Sequence, residues 1–353
     1  MQKAVCFDDV LIVPQYSEIE SRSSVDLSVS GFDQTFASLT KNHDAILSNP
    51  IVGSPMDTVI GPASAAILAD LGGFGVLHRY CTIDNALASY AETRSLVLDK
   101  TKENNIMVAI GATGDYLERA DALYKLGCRA FCIDVAHGHH VHVKNALEKL
   151  RLRYNDAVHI MTGNVATLEA FNDLADWGSS SIRVGVGGGA MCTTRIRTGH
   201  GVPTLQSIMD CSKSDRDVFI VADGGIKNSG DVVKSLAAGA DMIMLGSILS
   251  GHDESPGTTI EKDQRKFKKF RGMASREAQI EWRGKVSVSE GEATLVPYKG
   301  SMKDTLTDLI EGIKSGLSYS GARTIRELRA KSKFIQVSSS SIHENGPHGK
   351  TIF

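Results

Sequence analysis

Short runs of consecutive apolar residues recur along the chain, and each closes on Gly, Asn, Asp, His or a similar turn former. They are Ile51–Met56, Gly75–His78, Ile106–Ile110, Ala130–Asp134, His159–Asn164, Ser181–Gly185, Val218–Asp223 and Asp241–Gly246. Runs without polar alternation suit parallel strands buried on both faces. Amphipathic stretches lie between them; over Asp231–Ala240 the residues Val232, Val233, Leu236 and Ala237 share one stripe. Eight strand–helix units predict an α/β fold, a (β/α)₈ TIM barrel. An open doubly wound sheet is the competing arrangement, but it would carry its glycine-rich turn after the first strand. Here the glycine-rich turns follow the sixth, seventh and eighth runs, which favours the barrel.

The pattern changes after the eighth run. Ser250–Lys299 is polar, with little apolar periodicity, and a segment of that length in a barrel reads as an active-site flap. A helix then starts near Ser301, with Leu306, Leu309, Ile310, Ile313 and Leu317 on one face. The tail after Phe334 is rich in Ser, His and Gly, so it is expected to be ordered by a partner or not at all.

The chain has 353 residues, 39 basic and 41 acidic side chains and a net charge of −2. That balance argues against attraction to nucleic acid or membrane surfaces. The length allows two domains or one barrel with extensions; the eight units favour a single catalytic barrel over 1–353 with a flap near 250–299. The start of the chain shows no signal-peptide pattern and no stretch reaches membrane-spanning length. Six scattered cysteines form no CxxC pair or zinc spacing, so a reducing, cytoplasmic setting is expected.

Candidate chemistry concentrates after the sixth run, in Arg183-Val184-Gly185-Val186-Gly187-Gly188-Gly189-Ala190-Met191-Cys192-Thr193-Thr194-Arg195. Glycines there let backbone approach a ligand, and a cysteine on that loop at the C-terminal barrel face is placed as a nucleophile. The plainer possibility is a small buried filler. Asp223-Gly224-Gly225 and Gly246-Ser247 end the next two units, where barrels commonly cradle a phosphate with backbone N–H groups; Asp223 is suited to ribose hydroxyls. His137-Gly138-His139-His140 matches no usual zinc spacing and reads as loop residues around a ligand, with Asp134 at the strand end.

These residues resemble a known family. Phe7-Asp8-Asp9-Val10-Leu11, Ser54-Pro55-Met56-Asp57-Thr58-Val59, Gly72-Gly73-Phe74-Gly75-Val76-Leu77-His78-Arg79, Gly163-Asn164-Val165-Ala166-Thr167, the Cys192 loop, Asp223-Gly224-Gly225 and Val296-Pro297-Tyr298-Lys299-Gly300 look like the IMP dehydrogenase/GMP reductase family. The resemblance implies a (β/α)₈ barrel, a homotetramer, and a cysteine adduct at C2 of a purine nucleotide. In the dehydrogenase, hydride leaves IMP for NAD and water cleaves the adduct. In the reductase, ammonia leaves GMP and NADPH returns hydride.

The resemblance assigns roles. Cys192 is the nucleophile. Thr194 manages a proton with an acidic partner whose family position falls at Arg276, pointing to Glu277 beside it. Ser54, Asp223, Gly225, Gly246, Ser247, Met273, Ala274 and Glu290 are implied for the nucleotide. Asp134, Asn164, Arg183 and Gly185 are implied for the nicotinamide face, and Gly187, Gly189 and Cys192 for a potassium ion (K+). Phe270 and Ala190 stand where relatives often have tyrosine and serine, which shifts phosphate binding toward backbone groups.

Reductase features are a flap without an Arg-Tyr pair, Gly251–Ser255, Thr198-Gly199, and a stretch from His78 to Met107 long enough for one helix and no CBS insert. The tail with Glu344, Pro347 and His348, and His137-Gly138-His139, are dehydrogenase-like. The expectation is a GMP reductase using NADPH, with an IMP dehydrogenase using NAD, or a nucleotide-binding protein without turnover, as alternatives.

Overall fold

The structure, a computed structural model, describes residues 3–29, 47–338 and 340–346. Pro347 and His348 of the tail motif lie outside the described residues. The strands, in chain order, are β1 (Val10–Ile12), β2 (Ile51–Gly53), β3 (Phe74–Leu77), β4 (Ile106–Ile110), β5 (Ala130–Asp134), β6 (His159–Val165), β7 (Ser181–Val184), β8 (Phe219–Asp223), β9 (Met242–Leu245), β10 (Thr259–Lys262), β11 (Arg265–Arg271), β12 (Ala293–Pro297) and β13 (Phe334–Gln336). Strands β2 to β9 are all parallel and close into a barrel, β9 pairing back onto β2 through Ile51↔Ile243 and Gly53↔Leu245.

The eight apolar runs became these eight barrel strands because both of their faces are covered. Every residue of β2, β3, β4, β7 and β9 is buried. The helices between them turn apolar stripes inward; Val232, Val233, Leu236 and Ala237 are buried on the Ser229–Ala237 helix. Thr82, Thr167 and Asn228 cap their helices by accepting N–H bonds with their side chains. Between β3 and β4 lie one helix, Ile83–Leu96, and one short 3₁₀ turn. The Met302–Tyr319 helix buries Leu306, Leu309, Ile313 and Leu317 and packs on the Ser229–Ala237 helix. Among the described residues, no helix is long and apolar enough to cross a membrane.

Two additions extend the barrel. β1 pairs antiparallel with β13, tying the two ends of the chain together. The region expected as a flap is a three-stranded antiparallel sheet, β10-β11-β12, with a helix at Arg276–Arg283. Its strands show little apolar periodicity because they stand largely in solvent; all four residues of β10 are exposed. Its helix is capped by the Ser275 hydroxyl and ended by Gly284 at φ +67°.

Candidate active site

A cavity of about 380 Å³ opens at the C-terminal ends of the barrel strands and under the flap. Two glycines in its wall are required by close approach. A Cβ on Gly185 (φ +146°) would lie 1.9 Å from the Asp223 carbonyl oxygen, and one on Gly224 (φ +94°) would lie 2.9 Å from the Gly189 nitrogen. The loop after β7 and the loop after β8 can therefore run side by side only with bare backbone.

The Cys192 loop is pinned at both ends. The Cys192 N–H donates to the Gly189 carbonyl at 3.0 Å, and Thr194 opens a short helix, Thr194–Thr198, that stops at Gly199 in the left-handed conformation. The flap completes it from above. Thr193 N–H donates to the Glu290 carbonyl at 2.9 Å, Glu292 N–H to Met191 at 3.0 Å and Glu290 N–H to Ala274 at 3.2 Å. Cys192 and Ser275 both bridge to Gly291. These backbone links fix a side-chain relay: the Cys192 thiol donates to Thr194 Oγ1 at 3.2 Å, and that hydroxyl donates to Glu290 Oε2 at 2.7 Å. A thiol proton thus has a continuous path to a carboxylate.

Opposite lies a set of interlocked charges. Arg183, buried at the end of β7, donates to Asp134 Oδ1 at 2.6 Å and stands 4.0 Å from Asp223 Oδ2. Asn164 Nδ2 donates to both the Gly185 carbonyl and Asp223 Oδ2 at 2.8 Å. Burial pushes the Asp223 carboxyl up, against the opposing pull of Arg183 and Asn164. Arg79 reaches the Asp134 carbonyl at 3.0 Å and lies over the Tyr80 ring.

At the third side, Gly225, Gly246 and Ser247 line the cavity with Ser54 and Phe270, whose ring is buried. Lys299 Nζ holds the carbonyls of Ser247 and Ile248 at 3.0 and 3.1 Å, behind the Gly246-Ser247 turn.

The structure brings Cys192, Thr194, Ser54, Asp223, Gly225, Gly246, Ser247, Met273, Ala274 and Glu290 to this one cavity, together with Asp134, Asn164, Arg183, Gly185, Gly187 and Gly189. It does not bring Glu277 there. That side chain, about half exposed on the flap helix, pairs with Lys269 at 2.7 Å. The carboxylate beside Thr194 is Glu290, so the pairing of Thr194 with Glu277 is corrected, and Glu290 is found on the thiol–hydroxyl relay. The reason is the long-range link from the Cys192 loop to Glu290–Glu292, which residue spacing does not show. Arg79, Tyr80 and Lys227 also line the cavity without having been singled out in the sequence; the Arg79 position, directly after His78 at the end of the second barrel run, was the available signal. In the histidine loop, His139 bonds Asp173 at 2.7 Å and stacks on Trp177, while His140 accepts the His142 N–H.

The chain is similar to known proteins along nearly its whole length. A family model described as the IMP dehydrogenase / GMP reductase domain matches residues 4–348. A GMP reductase of Vibrio campbellii is 35% identical over 351 residues, 98% of this chain and 97% of that protein. An inosine-5'-monophosphate dehydrogenase of Nitrosopumilus maritimus is 30% identical over 479 aligned residues, 98% of each chain. Among solved structures, a cysteine-to-alanine variant of GMP reductase from Trypanosoma brucei in complex with guanosine 5'-monophosphate superposes with a TM-score of 0.88 at 26% identity, covering 99% of both chains. Barrel, cysteine loop and family match converge: this chain belongs to the IMP dehydrogenase/GMP reductase family of oxidoreductases.

Proposed function

We propose that the chain is a GMP reductase, converting GMP to IMP and ammonia with NADPH through an adduct between Cys192 and purine C2. The observation that carries this reading is the Cys192–Thr194–Glu290 relay. The sulfur bonds to C2 of GMP, and the thiol proton passes through Thr194 and Glu290 to the departing amine, which leaves as ammonia. A bound reduced nicotinamide dinucleotide supplies the hydride that replaces sulfur at C2. IMP departs, and the Cys192 thiolate takes a proton from solvent. One NADPH and one proton are consumed per turnover.

The remaining residues hold the partners in place. Asp223 accepts the ribose hydroxyls, and Gly225, Gly246, Ser247 and Ser54 bind the phosphate, chiefly with backbone N–H groups. Met273 and Ala274 wall the base. Asp134, Asn164, Arg183 and Gly185 form the nicotinamide side, and the arginine-covered ring of Tyr80 beside them suits a charged, aromatic cofactor. The carbonyls of Gly187, Gly189 and Cys192 would hold a potassium ion; Gly187 sits at φ +81°, and such oxygens suit a hard cation. A homotetramer is the assembly proposed, as membership of the family implies.

The test is direct. GMP with NADPH consumes reduced cofactor and yields IMP and ammonia in equal amounts. Silence there, with NAD reduced in the presence of IMP, assigns the chain to the dehydrogenase reaction instead. The flap sequence supports the first outcome, since it offers no Arg-Tyr pair to activate water.

A further inference from the structure

Between the barrel and the flap runs a ladder of alternating charges: Asp57, Arg271, Glu281, Lys269 and Glu277. Its second member is Arg271, the last residue of β11, whose guanidinium is buried. Arg271 Nε donates to both oxygens of Asp57 at 3.1 Å, and Nη2 donates to Asp57 and, at 2.6 Å, to Glu281 Oε2. Its backbone N–H donates to Thr58 Oγ1 at 3.1 Å. One guanidinium thus joins the loop after β2 to the flap helix. A lysine ammonium is a point charge and cannot span both carboxylates with one planar fork.

The neighbours of Arg271 in the chain make it more than an anchor. Gly272, Met273 and Ala274 line the cavity, as do Ser54, Pro55 and Met56 just before Asp57. The two linings touch, with the Asp57 N–H directed at Met273 Sδ at 3.3 Å. The Ala274 carbonyl in turn accepts the Glu290 N–H. A shift of Arg271 is therefore a shift of the base wall and of the relay carboxylate. Glu281, though, is 60% exposed on the flap helix, where Lys269 competes for it at 3.9 Å. The guanidinium's Nη1 is buried with no hydrogen-bond partner among the described residues.

We propose that Arg271 is a positioning residue: through its fork to Asp57 and Glu281 it transmits the position of the flap helix to the Met273–Ala274 wall. The proposal rests on the reading of this cavity as a purine-nucleotide site.

The test is a double-mutant cycle of E281Q and R271K. It is read by calorimetric GMP binding and by hydrogen exchange of the amides at 272–275, which needs no ligand. Glu281 is exposed, so E281Q is expected to melt with the wild type. In the wild-type background E281Q weakens GMP binding about fivefold and speeds exchange at 272–275; with R271K already present it changes either by less than about 1.5-fold. Equal effects of E281Q in both backgrounds overturn the proposal. If R271K does not fold, D57N replaces it in the same cycle, with the same two outcomes. Failure of the wild type to bind GMP would instead sink the functional reading, and the exchange arm would still decide the proposal.

Discussion

The barrel wall and the flap build the same cavity by opposite physical means. The wall is β2 to β9, whose strands are almost wholly buried and whose loops approach through bare glycine backbone. The flap is a charged sheet in solvent, held by specific links such as Lys268, whose buried ammonium donates to the carbonyls of His252 and Ser255. Burial pushes the Lys268 ammonium down from its ordinary value, and those carbonyls replace the water it loses. The wall supplies the sulfur and the flap supplies the carboxylate, so the proposed reaction requires both to be in register. Packing holds the wall; directional bonds hold the flap.

Four tests probe this division, beginning with the largest effect. Cys192→Ala, in the wall, abolishes GMP-dependent NADPH consumption while nucleotide binding persists; turnover surviving at a tenth of the wild-type rate would remove the adduct. Glu290→Gln, in the flap, lowers kcat by about 10²–10⁴-fold with a smaller change in KM, whereas Glu277→Gln on the same flap leaves kcat within about twofold. Equal losses from the two glutamates would show that the relay geometry is not what matters.

Gly185→Ala breaks the wall without touching a reacting group. Its Cβ would collide with the Asp223 carbonyl, so a destabilisation of about 2 kcal/mol or more is expected, read by denaturant melting. The same substitution at Gly284, a flap glycine whose Cβ would meet nothing within 4 Å, carries only the left-handed backbone cost.

The smallest effect concerns pH. Burial raises the Asp223 pKa in the folded chain, so the native state favours the protonated acid. Its contribution to stability is therefore greatest below the unfolded carboxyl pKa and is lost as pH rises through the folded one. Ribose binding needs the charged form, so nucleotide KM falls as pH climbs through that raised value, by at most about tenfold per pH unit. Asp223→Asn flattens the profile. A profile unchanged by the substitution would assign the titration to another group.

The eight barrel strands were legible because burial on both faces leaves uninterrupted apolar runs, and the final helix because its stripe repeats at helical spacing. The Cys192 loop and the glycine turns were legible because close backbone approach demands residues without side chains. β10 to β12 were not, since β10 is exposed throughout and β11 buries Lys268 and Arg271 beside Phe270, so burial there does not follow an apolar alternation. Arg271 closes a basic stretch, Lys262–Arg271, with no local mark that sets it apart; its partner Asp57 lies far off in sequence, and only the fold shows that the guanidinium is buried.

By itself, then, the sequence determined the barrel, the glycine-rich Cys192 loop and the flap's existence, because burial pattern and backbone freedom are local properties of the chain. Only the tertiary structure decided which carboxylate meets Thr194. Glu277 and Glu290 are equally polar members of one flap, and local chemistry does not separate them. The choice is made by the strand-like pairing of Cys192 with Gly291, a contact between segments about a hundred residues apart whose loop-closure entropy is met by the whole folded barrel.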